Sequence, residues 1–241
     1  MFRRLDQLLA SRGFGTRKDI YALVRAGQVK INGLPAHDAG QKINLGEDAV
    51  AVRGVLVNLS DHLYIMLYKP RGVISASRGP AGETVLDLIP AHLRRRDLFP
   101  VGRLDKDTTG LLLITDDGAL AHALLSPRRH VPKTYLVTLR APASQNDVAA
   151  FAAGMRLPAA DGHPPEQCLP AELTPLEQAR ARVVLREGKY HQIKRMFAAL
   201  GNEVTALHRE AMGGLALDES LRPGECRELR GEEIEGLKGA F

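Results

Sequence analysis

Two cysteines in 241 residues, Cys168 and Cys226, are too few and too scattered for a disulfide framework, and no C-x-x-C occurs. They are expected to be reduced, buried small hydrophobes, as in a cytoplasmic protein. No stretch approaches the ~18 apolar residues of a membrane span. The start, Met1-Phe-Arg-Arg-Leu-Asp6, is charged where a signal peptide carries an apolar core. A soluble, cytoplasmic protein with no membrane partner is expected. The eight histidines show no metal-ligand spacing, so zinc is not expected at His191 or His208. No glycine-rich strand-to-helix turn offers a nucleotide cofactor its phosphate cradle. Internal repeats and low-complexity tracts are missing too. With 44% apolar residues the chain has an ordinary globular core, and its length suits a small module ahead of a domain of ~180 residues.

Charge is present but uneven. Residues 1–30 hold Arg3, Arg4, Arg12, Arg17, Lys18, Arg25 and Lys30 against Asp6 and Asp19, which accounts for the whole net charge of +5. A basic head on a neutral body points to docking on a polyanion. Leu5, Leu8 and Leu9 predict a short first helix. Thr16-Arg-Lys-Asp19 is a capping box, and Ile20, Leu23 and Val24 follow at helical spacing, with Gly27 as the stop. At ~100° per residue, Lys18, Tyr21 and Arg25 share the opposite face. Val29 to Ile31, an Asn32-Gly33 turn and Ala49 to Val52 read as strands and a hairpin. One basic helix face suits phosphate tracking more than base reading. The pattern loosens from Arg53 to His62. The expected division is therefore 1–58 for the module, 59–62 for a linker and 63–241 for the larger domain.

The most informative stretch is Gly102-Arg-Leu-Asp-Lys-Asp-Thr-Thr-Gly110, two carboxylates set among basic and turn-forming residues. Apolar runs bracket it, Leu98 to Val101 and Leu111 to Ile114. A loop this polar between buried strands calls for chemistry at a carboxylate. Further strands are read at Leu63 to Tyr68, Thr134 to Leu139, Ala179 to Arg186, Val204 to Leu207 and Leu215 to Leu217. Helices are read at Thr84 to Ile89, Gly118 to Leu125, Gln145 to Met155 and Tyr190 to Leu200, while 157–175 is Pro-rich and unassigned. Many strands with few helices argue for an α+β protein with a mixed, mainly antiparallel sheet.

Residues 1–58 resemble an S4-type RNA-binding domain through Arg4-Leu-Asp-Gln-Leu-Leu-Ala10, Thr16 to Asp19, Gly27 to Gly33 and Leu45-Gly-Glu-Asp48. The loop at 102–110, Lys133-Thr-Tyr135 and Gly188-Lys-Tyr-His-Gln-Ile-Lys-Arg-Met196, in that order, resemble the pseudouridine synthases. Lys69-Pro-Arg-Gly72 and Leu207-His-Arg-Glu210 extend the likeness to nearly the whole chain. Within the branch that carries an S4 domain and acts on ribosomal RNA, the motifs look closest to the small-subunit (16S) enzymes.

That resemblance implies an isomerase converting a uridine to pseudouridine, with base flipping and no cofactor. Asp105 maps to the catalytic aspartate, Tyr135 to the active-site tyrosine, and Lys194 to the basic residue beside the carboxylate. The residues leave open whether Asp105 is nucleophile or base. Asp107 is read as shaping the turn through its own backbone. On the helix near 190–200, Lys194 lies at the rim of the apolar face, with Arg195 pointing further outward. Arg103, Arg128, Arg129, Lys133 and the triplet Arg94 to Arg96 are read as phosphate contacts, beside Arg17, Lys18 and Arg25 on the basic helix. Leu207 is placed under the flipped base. Tyr64, Tyr68 and Tyr190 are read as core residues. The partner implied is ribosomal RNA within a small-subunit assembly intermediate, bound by a monomer. The alternatives are a 23S-directed synthase and a catalytically silent assembly factor.

Overall fold

A computed structural model describes residues 2–57, 59, 62–80, 82–95, 97–159, 162 and 164–240. Arg96 and, in the expected linker, Ser60 and Asp61 lie outside the described residues, as does Asn58 beside it. The chain forms two compact units. One comprises Met1–Leu63 with Ile89–Leu98, the other Tyr64–Leu88 with Phe99–Phe241. The single boundary expected near residue 60 is therefore crossed again, because ten residues return to the first unit.

In the first unit, β1 (Phe2–Arg4) leads into α1 (Leu5–Ser11) and α2 (Arg17–Arg25). These are followed by β2 (Val29–Ile31), β3 (Leu34–Pro35), β4 (Lys42–Asn44), β5 (Val50–Val52) and β6 (Val55–Leu56). The capping box forms as expected. The Asp19 N–H donates to Thr16 Oγ1 at 3.3 Å, and the Thr16 N–H donates to Asp19 Oδ2 at 2.8 Å. Asn32 and Gly33 both take positive φ, 52° and 84°, which makes the two-residue β2–β3 turn match the strand twist. Leu5, Leu8, Leu9, Ile20, Val24, Val29 and Ile43 close one core. That leaves Lys18, Tyr21 and Arg25 together on the exposed side of α2. Of the other cations in the head, Arg4 is tied to the buried Asp6 at 3.0 Å, and Arg12 is buried.

The returning segment alters the arginine triplet. Arg94 is exposed, with its Nε donating to the carbonyl of Ile89 at 2.8 Å, whereas Arg95 is buried and withdrawn from the surface where a phosphate would be met.

The second unit is built on a mixed sheet of nine strands among the described residues. Its elements are β7 (Tyr64–Lys69), β8 (Phe99–Pro100), β9 (Thr109–Thr115), α3 (Gly118–Leu125), β10 (Lys133–Leu139), α4 (Gln145–Ala153), β11 (Arg156–Leu157), β12 (Glu166–Gln167) and β13 (Glu172–Leu176). After these come β14 (Arg180–Leu185), α5 (Gln192–Ala199), β15 (Val204–Met212), β16 (Leu215–Ala216), β17 (Cys226–Glu228) and α6 (Gly231–Lys238). The order is β13-β14-β10-β15-β9-β7-β17, with β16 on β15 and β8 on β9. Pairing is antiparallel throughout this sheet except between β9 and β15.

Gly110 to Thr115 is buried residue after residue, as a central strand covered on both faces must be. One face packs Leu111, Leu113 and Met66 against Leu120 and Leu124 of α3 and Leu237 of α6. Each such fully buried side chain contributes roughly 1.5–3 kcal/mol of transfer free energy. Tyr64 serves this layer, its hydroxyl donating at 2.7 Å to Asp117, which also caps α3 through the Leu120 N–H.

Three segments differ from their expected form. Thr84 to Ile89 is a run of turns rather than a helix. Asp87 folds back onto the Thr84 N–H and hydroxyl, and Pro90 disfavours helical geometry at Ile89. The Pro-rich stretch supplies the β11–β12 hairpin and the edge strand β13, where Pro175 costs no central ladder bond. The C-terminal α6 has no sequence signal because Gly231 and Gly236 weaken the pattern. Arg227 holds it to the sheet edge, bridging Asp218 at 2.6 Å and Glu233 at 2.7 Å. Of the cysteines, both free, Cys168 is buried and Cys226 only half-buried.

Candidate active site

The loop at 102–110 is moulded by the turn after β7. Lys69, fully buried, donates its ammonium to the carbonyls of Pro70 (3.1 Å), Lys106 (3.3 Å) and Thr108 (2.9 Å). Burial pushes that ammonium down to about 8, against the pull of Asp107 and Asp105. The Gly72 N–H donates to the Lys106 carbonyl at 2.7 Å. Ser75 Oγ donates to the Leu104 carbonyl at 2.9 Å and accepts the Leu104 N–H at 3.1 Å. The loop closes on itself through the Thr108 N–H and Asp105 carbonyl at 3.1 Å. The Lys69-Pro-Arg-Gly72 motif is therefore the clamp of the acidic loop.

Asp105, 27% exposed, faces α5 and the loop before it. Lys194 Nζ lies 3.0 Å from Asp105 Oδ2 and 2.7 Å from Asp107 Oδ1. Asp107 keeps the expected bond to its own backbone N–H and adds an ion pair with Lys194, while the bonds of Lys69 to main-chain carbonyls also shape the turn. Burial pushes the Asp107 carboxyl up, but the hydrogen bond and charge of Lys194 outweigh it and hold it below the ordinary value. Lys194 answers in kind. Burial pulls it down, the bonds to Asp107 and Asp105 outweigh that, and its value is raised.

The sequence gives no sign that His191 belongs to this group. Its Nε2 stands 3.5 Å from Asp105 Oδ1 and its ring stacks on Tyr190 with centroids 3.8 Å apart. It caps α5 in the left-handed region, φ 46°, a strained position of the kind found at functional sites. No spacing rule connects residue 191 to residue 105, so only the fold could reveal it.

Arg195 corrects another expectation. Rather than pointing outward, it is buried, paired with Glu166 at 2.8 Å and donating to the carbonyls of Pro158 (2.7 Å) and Tyr190 (3.2 Å). It anchors the excursion before β13 onto α5. The excursion gives that side of the helix an interior, which periodicity alone could not foresee.

A cleft of about 330 Å³ opens beside Asp105, within the range of small-molecule sites. Tyr135, Leu207, Lys133, Arg103, His191 and Arg209 are among its lining residues. Tyr135 is 8% exposed and Leu207 equally covered. The β10–β15 register pairs Tyr135 with Arg209 and Val137 with Leu207, so these side chains form one continuous wall. Arg103 is exposed at the cleft, and Arg128 and Arg129 are exposed on the turn after α3. Lys133 is only half-buried, with its Nζ on the Val131 carbonyl at 3.2 Å. His208 points elsewhere. Its Nδ1 shares a hydrogen bond with Thr109 Oγ1 at 2.9 Å, and burial pushes its pKa down although Glu210 pulls the other way. The structure thus brings together Asp105, Tyr135, Lys133, Leu207 and Arg103 at one cleft and places Lys194 against Asp105. Arg17, Lys18 and Arg25 belong to the first unit.

A braced carboxylate next to a cleft with an aromatic and aliphatic wall can receive a flat ring and act on the atom joining it to a sugar. Comparisons with known proteins agree. The profile described as RNA pseudouridylate synthase matches residues 63–199, and the S4 domain profile matches residues 3–50. An uncharacterized RNA pseudouridine synthase of Bacillus subtilis is 44% identical over 233 residues, 96% of each chain. Ribosomal small subunit pseudouridine synthase A of Salmonella typhimurium is 41% identical over 232 residues, 96% of this chain and 98% of that one. A crystal structure of a pseudouridylate synthase superposes with a TM-score of 0.66 at 39% identity, covering 97% of this chain and 99% of that one. With this site, this fold and these relatives, the chain belongs to the RNA pseudouridylate synthase family, in the branch that carries an S4 domain in front.

Proposed function

We propose that this protein isomerises one uridine of 16S ribosomal RNA to pseudouridine, of the uridine-516 type, acting as a monomer on a partly assembled small subunit. The small-subunit relatives support 16S over 23S RNA. The observation that carries the reading is Asp105, held at 3.0 Å by Lys194 on the edge of the cleft that Tyr135 lines. In this reading the target nucleotide leaves its stack and its base enters against Tyr135 and Leu207. The Asp105 carboxylate then meets the electron deficit at C1′ as the bond to N1 opens, and the ring turns to rejoin through C5. Exposed Arg103, Arg128 and Arg129 hold the flanking phosphates. The intact Asp105, Tyr135 and Lys194 set argues against a silent assembly factor.

The test is release of tritium from ribosomal RNA labelled at uridine C5, without added metal or cofactor, followed by chemical mapping of the modified position. Release with modification in 16S RNA is expected. Failure to release from every RNA and assembly intermediate would sink the reading, and modification of 23S RNA alone would move it to the large subunit.

Lys194→Met should lower kcat by about a hundredfold, the loss of close to 3 kcal/mol expected for a charge-assisted contact to a reacting group. The pH profile carries the sign. Asp107 sits below its ordinary value because of Lys194, so its pairing stabilises the fold fully above the unfolded carboxylate pKa and is lost as pH falls through the folded one. Without the ammonium, two carboxylates two residues apart repel, and the acid limb of kcat/KM should move to higher pH. An unmoved limb would show that Lys194 does not tune the pair.

RNA docking is tested by Arg17→Gln, Lys18→Gln and Arg25→Gln together, all exposed on α2. Deleting 1–58 is a poorer test, because the segment 89–98 packs in the same unit. The triple variant should melt like wild type while the slope of log affinity against log salt falls by about 2, at ~0.7 for each phosphate of single-stranded RNA left without its cation. An unchanged slope would take α2 out of the RNA interface.

A further inference from the structure

The wall of the cleft holds a deeply buried cation with an idle donor. Arg209 is 2% exposed, yet it forms no ion pair among the described residues. Its Nε donates to the Leu111 carbonyl at 2.8 Å, while Nη2 is buried without a hydrogen-bond partner. The side chain lines the cleft on the strand next to Tyr135 and directly opposite it. Lys133 lines the same cleft, and its ammonium is pushed down to about 8, first by burial and then by the charge of Arg209. A buried guanidinium with an idle donor and a repelling lysine is costly. Such a group persists where an oxygen-rich anion arrives to use it.

Position decides which anion. Phosphates stay with the backbone, where Arg103, Arg128 and Arg129 are exposed. Arg209 lies deeper, 2% exposed and opposite the aromatic ring, at the depth an inserted base would occupy. We propose, on the basis of the uridine isomerase reading above, that Arg209 with Lys133 forms the subsite for the carbonyl oxygens of the flipped uracil and holds the negative charge they gain while the base is detached.

When C1′–N1 opens, its electron pair stays with the base, spread over N1, O2 and O4, and Asp105 meets the deficit at C1′. Rejoining takes a pair from C5 to C1′; the C5 hydrogen then leaves as a proton and N1 gains one. Atoms and charge balance without oxidant or reductant. Arg209 acts on the detached state, where the base carries a full charge, more than on the neutral nucleotide, so it raises kcat rather than lowering KM.

Single-turnover rates of N1–C1′ bond cleavage by wild type, Arg209→Met and Arg209→Lys would be compared on RNA carrying uridine or 5-fluorouridine at the target. Cleavage is the step read because fluorine at C5 cannot leave as a cation, so the fluorinated base stops at the rejoined adduct. Fluorine at C5 stabilises the uracil anion by itself, so help from the protein matters less. Arg209→Met should slow the uridine RNA by about 10²–10³-fold, the scale of losing one preorganised donor. It should slow the fluorinated RNA much less, with RNA affinity unchanged and a melting temperature no lower than wild type. Arg209→Lys should recover part of the rate. Equal losses on both RNAs, or weakened RNA binding at an unchanged rate, would overturn the subsite. Wild type that converts neither RNA would overturn the isomerase reading and the subsite with it.

Discussion

Asp105→Asn is expected to abolish tritium release, with a loss of about 10⁴-fold or more, while folding and RNA affinity stay near wild type. The size follows from removing the charge of a group whose whole contribution is made as the bond breaks, on the scale seen when one member of a catalytic constellation is replaced. Folding is spared for a local reason. Asparagine keeps the shape and can still accept from Lys194, and Lys194 keeps Asp107 at 2.7 Å. The neighbouring variant Asp107→Asn is the control. Its carboxylate is half-exposed and pairs with Lys194, so a loss of about tenfold, acting through the position of the ammonium, is expected. Tritium release from Asp105→Asn near the wild-type rate would remove Asp105 from the chemistry, and a reversed ranking of the two variants would exchange their roles.

The largest effect on folding should come from a residue with no side chain. Gly110→Ala would place a Cβ 2.3 Å from the Arg209 carbonyl oxygen and 2.6 Å from its amide nitrogen, distances no backbone tolerates. The residue also takes φ +105°, which an L side chain rarely adopts. Both strands here are central, so neither can step aside without breaking the sheet. Destabilisation of about 4 kcal/mol or more is expected, enough to leave little folded protein at 37 °C. Gly33→Ala in the β2–β3 turn is the comparison. It also has positive φ but nothing within 4 Å, so only the backbone strain, about 1 kcal/mol, applies. Thermal melts of the two variants separate close approach from strain. Equal shifts would mean that the packing of β9 against β15 yields easily.

The same close approach explains why Gly110 ends the acidic motif. It lets β15 run beside β9 in the sheet's one parallel pairing among the described residues, with Arg209 opposite Gly110. A motif glycine ~100 residues away in sequence thereby sets the depth of the guanidinium at the cleft. Nothing in the local pattern around either residue could announce this.

Short-range physics is legible in the chain itself. Capping at Thr16, the turn at Asn32-Gly33, the strands around 111–114 and 134–139, and the basic face of α2 follow from spacing and backbone preference, which act over a few residues. So does the resemblance carried by the motifs at 69–72, 102–110, 133–135 and 188–196, because chemistry keeps residue types in order. Local pattern fails where a distant segment supplies the environment. Arg195 turns inward because Glu166 and the Pro158 carbonyl meet it, Asp107 gains Lys194 as a partner beside its own backbone N–H, and Arg95 is buried within the first unit. Periodicity assumes that solvent lies opposite the apolar stripe, an assumption that fails wherever the chain folds back.

Sequence alone determined the inventory: a basic docking head, an acidic loop between buried strands, and the candidates Asp105, Tyr135 and Lys194. Tertiary structure decided the relations among them. It placed Lys194 between two carboxylates, brought His191 to 3.5 Å from Asp105, turned Lys69 into the clamp of the loop, and buried Arg209 opposite Tyr135. The division has a physical cause. Local structure is set by neighbours along the chain, whereas the balance of charge and burial in a cleft depends on strands that meet only once the sheet has closed.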